Sequence, residues 1–202
     1  MTERLAVDPR RPDPTVLARA AEALRGGALV AFPTETFYGL GAAALDAAAV
    51  RRVFEVKGRP ESRPLLVLVD SEAMVETVAA EIPARARALM ARHWPGPLTL
   101  VLRARPTVPA EVHARTGTIG VRLSPHPVAA GLVRALGAPV TAPSANITGQ
   151  PPPTDAGAVV RDFDGKIALV LDAGPTPGGP PSTVLDVTVD PPRLIRAGAV
   201  AV

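Results

Sequence analysis

Ala28-Leu29-Val30-Ala31-Phe32 runs directly into Pro33-Thr34-Glu35-Thr36-Phe37-Tyr38-Gly39-Leu40-Gly41, and the reading of this junction decides the fold. Five apolar residues without polar alternation read as a short strand. Upstream, Asp13-Pro14 starts a helix in the favoured way, with Asp as N-cap and Pro in the first turn, and Gly26-Gly27 ends it. Val16, Leu17, Ala20, Ala21 and Leu24 share one face of that helix. Downstream, Asp46 caps a second helix running to about Val56, with Val50, Val53 and Phe54 facing inward.

The same grammar continues along the chain. Leu65 to Val69 reads as a buried strand, Ser71 and Pro83 begin helices, and the second of these ends near His93-Trp94. Leu98 to Leu102, Thr118 to Leu123, Pro139 to Ala142, Ile167 to Leu171, Val184 to Val189 and Leu194 to Ala197 are the remaining strands. Helices over Val128 to Leu136 and Asp155 to Phe163 separate some of them. Strands and helices alternate at first, and strands dominate towards the end. The expectation is an α/β fold, a single domain over residues 1–202 with a mixed sheet and flanking helices. Residues 1–12 are expected to form a loose arm, and Gln150 to Pro153 and Gly174 to Pro181 to be loops, candidate lids rather than linkers.

At 202 residues the chain is long enough for a real core, and with 47% hydrophobic but only 3% aromatic residues that core must be built from Ala, Val and Leu. A net charge of +3 admits an anionic ligand or an RNA contact without demanding an obligate nucleic-acid binder. The absence of Cys excludes disulfides, thiolate chemistry and Cys-based zinc sites. Met1 to Pro14 shows no secretory signal and no apolar run is long enough to span a bilayer, so a cytoplasmic protein without a membrane partner is expected.

The polar motifs follow strands, and one crevice at the strands' carboxyl ends would gather Thr34 to Gly41 with Pro143 to Gly149. Gly39 and Gly41 permit either a close ligand approach or a tight loop with positive φ. The chain carries twenty Arg and only two Lys, Lys57 and Lys166. One of these two sits beside an Arg in Lys57-Gly58-Arg59-Pro60, where a compact ammonium next to a planar guanidinium suits a polyanion such as a nucleotide triphosphate. Taken alone, that segment reads first as a solvated basic turn. Ser144-Ala145-Asn146 offers a hydroxyl and an amide, which bind phosphate or ribose but equally well serve the backbone of a turn. Arg122 and Arg196 each end a strand, and four cations, Lys57, Arg59, Arg122 and Arg196, would be costly to cluster without an anion. His93, His113 and His126 show no triad or metal spacing, so hydrolase and zinc readings are weak.

Pro33 to Gly41, Lys57-x-Arg59-Pro60, Trp94-Pro-Gly-Pro-Leu-Thr99, Thr118-Ile-Gly-Val-Arg122, Pro143-Ser144-Ala-Asn146, Ser182-Thr-Val-Leu-Asp186 and Ile195-Arg196-x-Gly198 together, in order and spacing, resemble the YrdC-like family in its short form. The resemblance covers roughly Val16 to Val200. It implies a twisted sheet with a basic concave cleft, and an enzyme that joins L-threonine, bicarbonate and ATP into threonylcarbamoyl-adenylate with release of pyrophosphate. That product serves a modification of the tRNA adenosine next to the anticodon, through downstream threonylcarbamoyl-transfer proteins. Carried to this chain, the resemblance makes Thr34, Arg122 and Ser182 threonine-site positions, and Lys57, Arg59, Arg63, Thr118, Ser144, Asn146 and Arg196 ATP positions. Lys57 and Arg59 would stabilise the reacting phosphates. Mg2+ would arrive with ATP, with no protein metal site. The chain departs from the family pattern at Arg63, Val69 and Ser124. Two rival readings are a module that binds tRNA or double-stranded RNA on the same basic face, through shape and phosphate contacts, and a paralogue with another carbamoyl acceptor. A single Trp, a single Tyr and four Phe leave little for stacking single-stranded bases.

Overall fold

The computed structural model describes residues 1–202. In chain order the elements are β1 (Glu3–Ala6), α1 (Pro14–Arg25), β2 (Val30–Pro33), β3 (Tyr38–Gly41), α2 (Ala47–Lys57), β4 (Leu66–Leu68), α3 (Glu72–Val78), α4 (Ala84–His93) and β5 (Leu98–Arg103). They continue as α5 (Ala110–His113), β6 (Thr118–Arg122), α6 (Pro127–Leu136), β7 (Val140–Thr141), α7 (Ala156–Phe163), β8 (Leu169–Asp172), β9 (Thr183–Asp186) and β10 (Arg193–Arg196). The capping signals are where the sequence puts them: Asp13 accepts from Thr15 N, Asp46 from Ala48 N and Ala49 N, and Ser71 from Met74 N. No helix is long and apolar enough to cross a membrane.

Four strands pair in the order β1-β8-β2-β3 and six in the order β10-β9-β5-β6-β4-β7, with parallel and antiparallel neighbours mixed in both sheets. The two sheets join edge to edge where β3 meets residues 139–145. Leu40 N donates to Pro143 O at 2.8 Å, Ala145 N to Tyr38 O at 2.8 Å, Thr141 N to Ala42 O at 3.0 Å and Ala44 N to Pro139 O at 2.9 Å.

Alternate residues of the strands enter two separate cores. Ala31, Val170 and Val67 pack on one face, with Val50 and Phe54 of α2, Val75 of α3, Met90 of α4, Val112 of α5 and Phe163 of α7. Val30, Phe32, Leu68, Leu169 and Leu171 pack on the other face, against Leu17 and Leu24 of α1 and Leu132 and Val133 of α6. Burial on both sides is the reason these strands read as unbroken apolar runs. Five helices thus cover one face, while two cover only part of the opposite one. The strands β6, β5, β9 and β10 are left open on that second face.

Two expectations need correction. Residues 1–12 are not a loose arm: Glu3–Ala6 pairs in parallel with β8, and Thr2 is buried, its amide donating to Asp164 Oδ1 at 2.7 Å and its hydroxyl accepting from Gly165 N at 3.0 Å. Glu3 and Arg4 obscure the strand because it lies at the sheet edge, where charged side chains face solvent. The segment after Pro33 is likewise a tight turn followed by a strand, and neither Gly39 nor Gly41 has a positive φ. Gly41 is needed for close approach: a Cβ there would lie 2.8 Å from Phe32 Cε1 and 2.9 Å from Val140 Cγ1. Gly41→Ala should therefore lower unfolding stability in urea by about 1–3 kcal/mol, the usual cost of overpacking a core. Gly39→Ala, whose new Cβ would have its nearest neighbour at 3.5 Å, should cost clearly less in the same titration.

Candidate active site

The uncovered half of the second sheet face forms the floor of a cavity of about 730 Å³. Strand alternation selects what faces it: Thr99 and Val101 from β5, Thr118, Gly120 and Arg122 from β6, Val184 and Asp186 from β9, while Leu98, Leu100, Ile119 and Val121 point into the core behind. Gly120 keeps the floor low, since a Cβ there would sit 3.3 Å from Thr99 Cγ2. The cavity gathers Thr34 and Thr36–Gly39 with Pro143–Ser144 at the carboxyl ends of β2 and β7, as expected, and extends from there across the sheet face. The reason is the mixed, edge-joined sheet, which puts whole strands under the opening rather than only their ends.

Three guanidinium groups from distant segments meet here. Arg122, at the end of β6, is only 3% exposed. Its Nη1 stands 3.2 Å from Glu35 Oε1, and its buried Nε has no partner. Burial pulls its pKa below the ordinary arginine value, and the Glu35 charge opposes that shift. Glu35 is fixed from behind by the Ser124 hydroxyl, which donates to Oε2 and accepts from His126 N at 3.2 Å. Ser124, one of the departures from the family pattern, is thus the support of the Glu35–Arg122 pair. Arg196 follows a bulge in β10 and grips Ser182, donating to its carbonyl at 3.0 and 2.7 Å and to its hydroxyl at 2.9 Å. Burial and then the neighbouring Arg122 charge hold the Arg196 pKa below its usual value, which shows the two cations sharing one field. Arg59 follows the αL cap Gly58 of α2 and donates to Arg63 O at 3.2 Å and Pro64 O at 2.9 Å.

The cavity wall brings together seven of the ten residues expected from the sequence: Thr34, Arg59, Thr118, Arg122, Ser144, Ser182 and Arg196. Thr34 also builds its own turn, its hydroxyl donating to Phe37 O at 2.7 Å and accepting from Thr36 N at 3.2 Å. Ser144 bridges to Gly39, and its hydroxyl is free of protein partners. Lys57, Arg63 and Asn146 stand outside the wall. Arg63 is exposed and gives only its carbonyl to Arg59. Asn146 directs Nδ2 to Ile147 O and Gln150 O at 2.9 and 2.8 Å, and its buried Oδ1 has no partner. Lys57 is not in a solvated turn: it is the last residue of α2, 2% exposed, with Nζ donating to Ser144 O and Asn146 O.

Several lining residues escaped the sequence reading. Thr99 closes a motif but, like Val101, sits inside an apolar strand. Asp186 is 4% exposed in the wall. Burial pushes its carboxyl up, but bonds from Thr188 at 2.6 and 2.9 Å and from Arg193 at 3.0 Å outweigh this and hold the pKa below the usual range. Tyr38 lines the site and anchors Gly174, donating to its carbonyl at 2.7 Å, and burial raises its pKa to about 12. The loops expected as lids are laced to this turn: Tyr38 N donates to Pro153 O at 3.0 Å and Gly178 N to Thr36 O at 2.9 Å. Pro152 and Pro181 form part of the rim.

Residues 22–198 match the family described as Telomere recombination, Sua5/YciO/YrdC. The chain is 50% identical over 179 residues to the threonylcarbamoyl-AMP synthase of Pyrococcus abyssi, covering 89% of this chain and 53% of that protein, so it spans about half that relative's length. It superposes on the crystal structure of P. abyssi Sua5 complexed with L-threonine with a TM-score of 0.94 at 47% identity, over 98% of this chain and 58% of the other. Against E. coli YciO the TM-score is 0.90 at 26% identity, over 98% of this chain and 97% of the other.

The buried Arg122–Glu35 pair should leave a mark on stability. Glu35→Ala removes one partner and strands a buried guanidinium, a change that costs about 3–5 kcal/mol when a buried pair is broken; partial exposure of Glu35 (15%) places the expected value near the low end. Urea unfolding measures it, and a loss under about 1 kcal/mol would mean the pair behaves as a surface contact.

Proposed function

The chain belongs to the Sua5/YciO/YrdC family, and we propose that it is a threonylcarbamoyl-AMP synthase, forming threonylcarbamoyl-adenylate and pyrophosphate from L-threonine, bicarbonate and ATP. The observation that carries this reading is the convergence of Arg59, Arg122 and Arg196 on one cavity in which Asp186 is paired by Arg193 and Arg122 by Glu35, so that Arg59 and Arg196 have no carboxylate partner. So concentrated an excess of cations suits two anions that must meet.

The chemistry explains the need. The neutral threonine amine attacks carbon dioxide, formed from bicarbonate with loss of hydroxide, and gives up a proton to that hydroxide, leaving a carbamate and water. A carbamate oxygen then attacks the α-phosphorus of ATP as pyrophosphate departs. Carbamate and triphosphate repel each other, so the enzyme's task is charge neutralisation and alignment rather than acid–base work. Arg122, which lines the cavity, is suited to the threonine carboxylate, and Thr34 and Ser182 of the same wall to its polar groups. Arg59, Arg196, Thr118 and Ser144 are suited to the nucleotide and its phosphates. Magnesium enters as part of MgATP: both oxygens of Asp186 are engaged by Thr188 and Arg193, so the triphosphate itself supplies the anionic ligands. The labile product passes to threonylcarbamoyl-transfer proteins acting on tRNA, and the setting is the cytoplasm, where ATP and tRNA meet.

Purified protein given MgATP and bicarbonate should release pyrophosphate when threonine is added and far less with serine, glycine or no amino acid. Equal turnover without threonine would remove the assigned substrate. Arg196→Ala should lower turnover by about 10²–10³-fold, the scale set by losing one preorganised donor to a developing charge. Binding of tRNA to the protein alone should be weak, without sequence preference, and should fade steeply between 50 and 200 mM salt, as pure phosphate contact does. Tight, salt-tolerant tRNA binding without pyrophosphate release would favour the RNA-module reading instead.

A further inference from the structure

Lys57 holds three points of the turn that presents Ser144. Its ammonium donates to the carbonyls of Ser144 and Asn146, and its own carbonyl accepts from Thr148 N at 2.8 Å. Four backbone amides of that turn are engaged within the protein: Ala145 N with Tyr38 O at 2.8 Å, Asn146 N with Ser144 O at 3.0 Å, Ile147 N with Asp162 Oδ2 at 3.3 Å, and Thr148 N with Lys57, which leaves the amide of Ser144 itself free. The turn therefore offers an anion no cluster of free N–H groups. Asn146 Nδ2 is engaged as well. What remains is Ser144 itself, which lines the cavity with a hydroxyl and a backbone amide that have no partner in the protein.

Removing the ammonium would leave two buried carbonyls converging without a donor, each carrying the desolvation cost of an unsatisfied acceptor. A planar guanidinium cannot replace it, because its donors diverge in a fork too wide for a space already closed by both carbonyls. This accounts for Lys at a position in a chain that otherwise uses Arg twenty times and Lys twice. We propose that Lys57 is a positioning residue, acting on the reaction by fixing the Ser144–Asn146 turn and the Ser144 hydroxyl, and not by touching the ATP phosphates. The proposal rests on the reading of the cavity as a nucleotide site. Burial, and then the Arg59 charge, draw the Lys57 pKa down to about 8. The neutral amine still carries two N–H groups for the two carbonyls, whereas a phosphate anchor would need the full charge.

Two lysines in the chain make a direct test practical, because a spectrum of the 15N-labelled ammonium groups contains only Lys57 and Lys166. Couplings across hydrogen bonds, from Lys57 Nζ to the 13C carbonyls of Ser144 and Asn146, should be present in the free protein and persist when MgATP is added without threonine. Loss of those couplings with appearance of a coupling to 31P would overturn the proposal. The kinetic arm is a double-mutant cycle. Lys57→Met should lower kcat/KM for ATP by roughly 10–100-fold, the effect of losing a charge-assisted hydrogen bond. Ser144→Ala in the Lys57→Met background should then add less than about threefold, since both changes act through one hydroxyl. Independent, multiplying losses would sink the idea. If Lys57→Met does not fold, the wild-type spectrum still decides. Absence of any MgATP binding to the wild type would overturn the nucleotide reading and the functional half of this proposal, while the carbonyl couplings would still report the latch.

Discussion

The antiparallel contact between β3 and residues 139–145 is the constraint on which the rest depends. Four backbone bonds at 2.8 to 3.0 Å join a four-stranded and a six-stranded sheet there. Side chains near this seam must alternate between two cores, so small residues are required where the faces crowd, and Gly41 is the sharpest case. The seam also brings Gly39 against Ser144, which places two sequence segments a hundred residues apart on the same edge of the cavity. Without it, the Thr34–Tyr38 turn and the Ser144 turn would belong to separate sheets and no shared site would exist.

Uneven coverage of the sheet then creates the site. One face is closed by five helices, while α1 and α6 close only part of the other. The alternation that buries Leu98, Leu100, Ile119 and Val121 leaves Thr99, Thr118, Gly120 and Arg122 without a cover. Cations placed on such a floor are held by protein carbonyls or by one carboxylate each: Arg59 by Arg63 and Pro64, Arg196 by Ser182, Arg122 by Glu35. Each is thereby oriented before any ligand arrives, so an anion entering the cavity would meet donors already in place.

Much of this architecture was legible in the sequence because local rules and packing agree. Asp13, Asp46 and Ser71 cap helices where they stand beside apolar-periodic runs, and the unbroken run at Leu65 to Val69 announces burial on both faces. The edge strand Glu3–Ala6 was not legible, since four residues with two charges carry no burial signal. Within the site, motif residues such as Arg122, Ser182 and Ser144 could be picked out. Thr99 and Asp186, although they close two of the motifs, and Val101 had no place in the expected site, because only the register of β5 against β6 and β9 decides which side of an apolar strand faces an opening. Lys57 was found for the right residue type but in the wrong setting. Its neighbours Gly58 and Pro60 suggest a surface turn, while the carbonyls that enclose it come from 87 and 89 residues away.

The pairing of β1 with β8 ties Glu3–Ala6 to Leu169–Asp172, and Thr2 to the turn at residues 164–165. These contacts span more than 160 residues, so the edge of the first sheet cannot close until nearly the whole chain exists. During synthesis, β2 and β3 can pair early, but β8, which separates β2 from β1, is made late. The nascent chain must therefore carry an unpaired β2 edge until Leu169–Asp172 has been made. The first sheet is completed only when β8 slots between two strands made far earlier, and β9 and β10 of the second sheet are made after it.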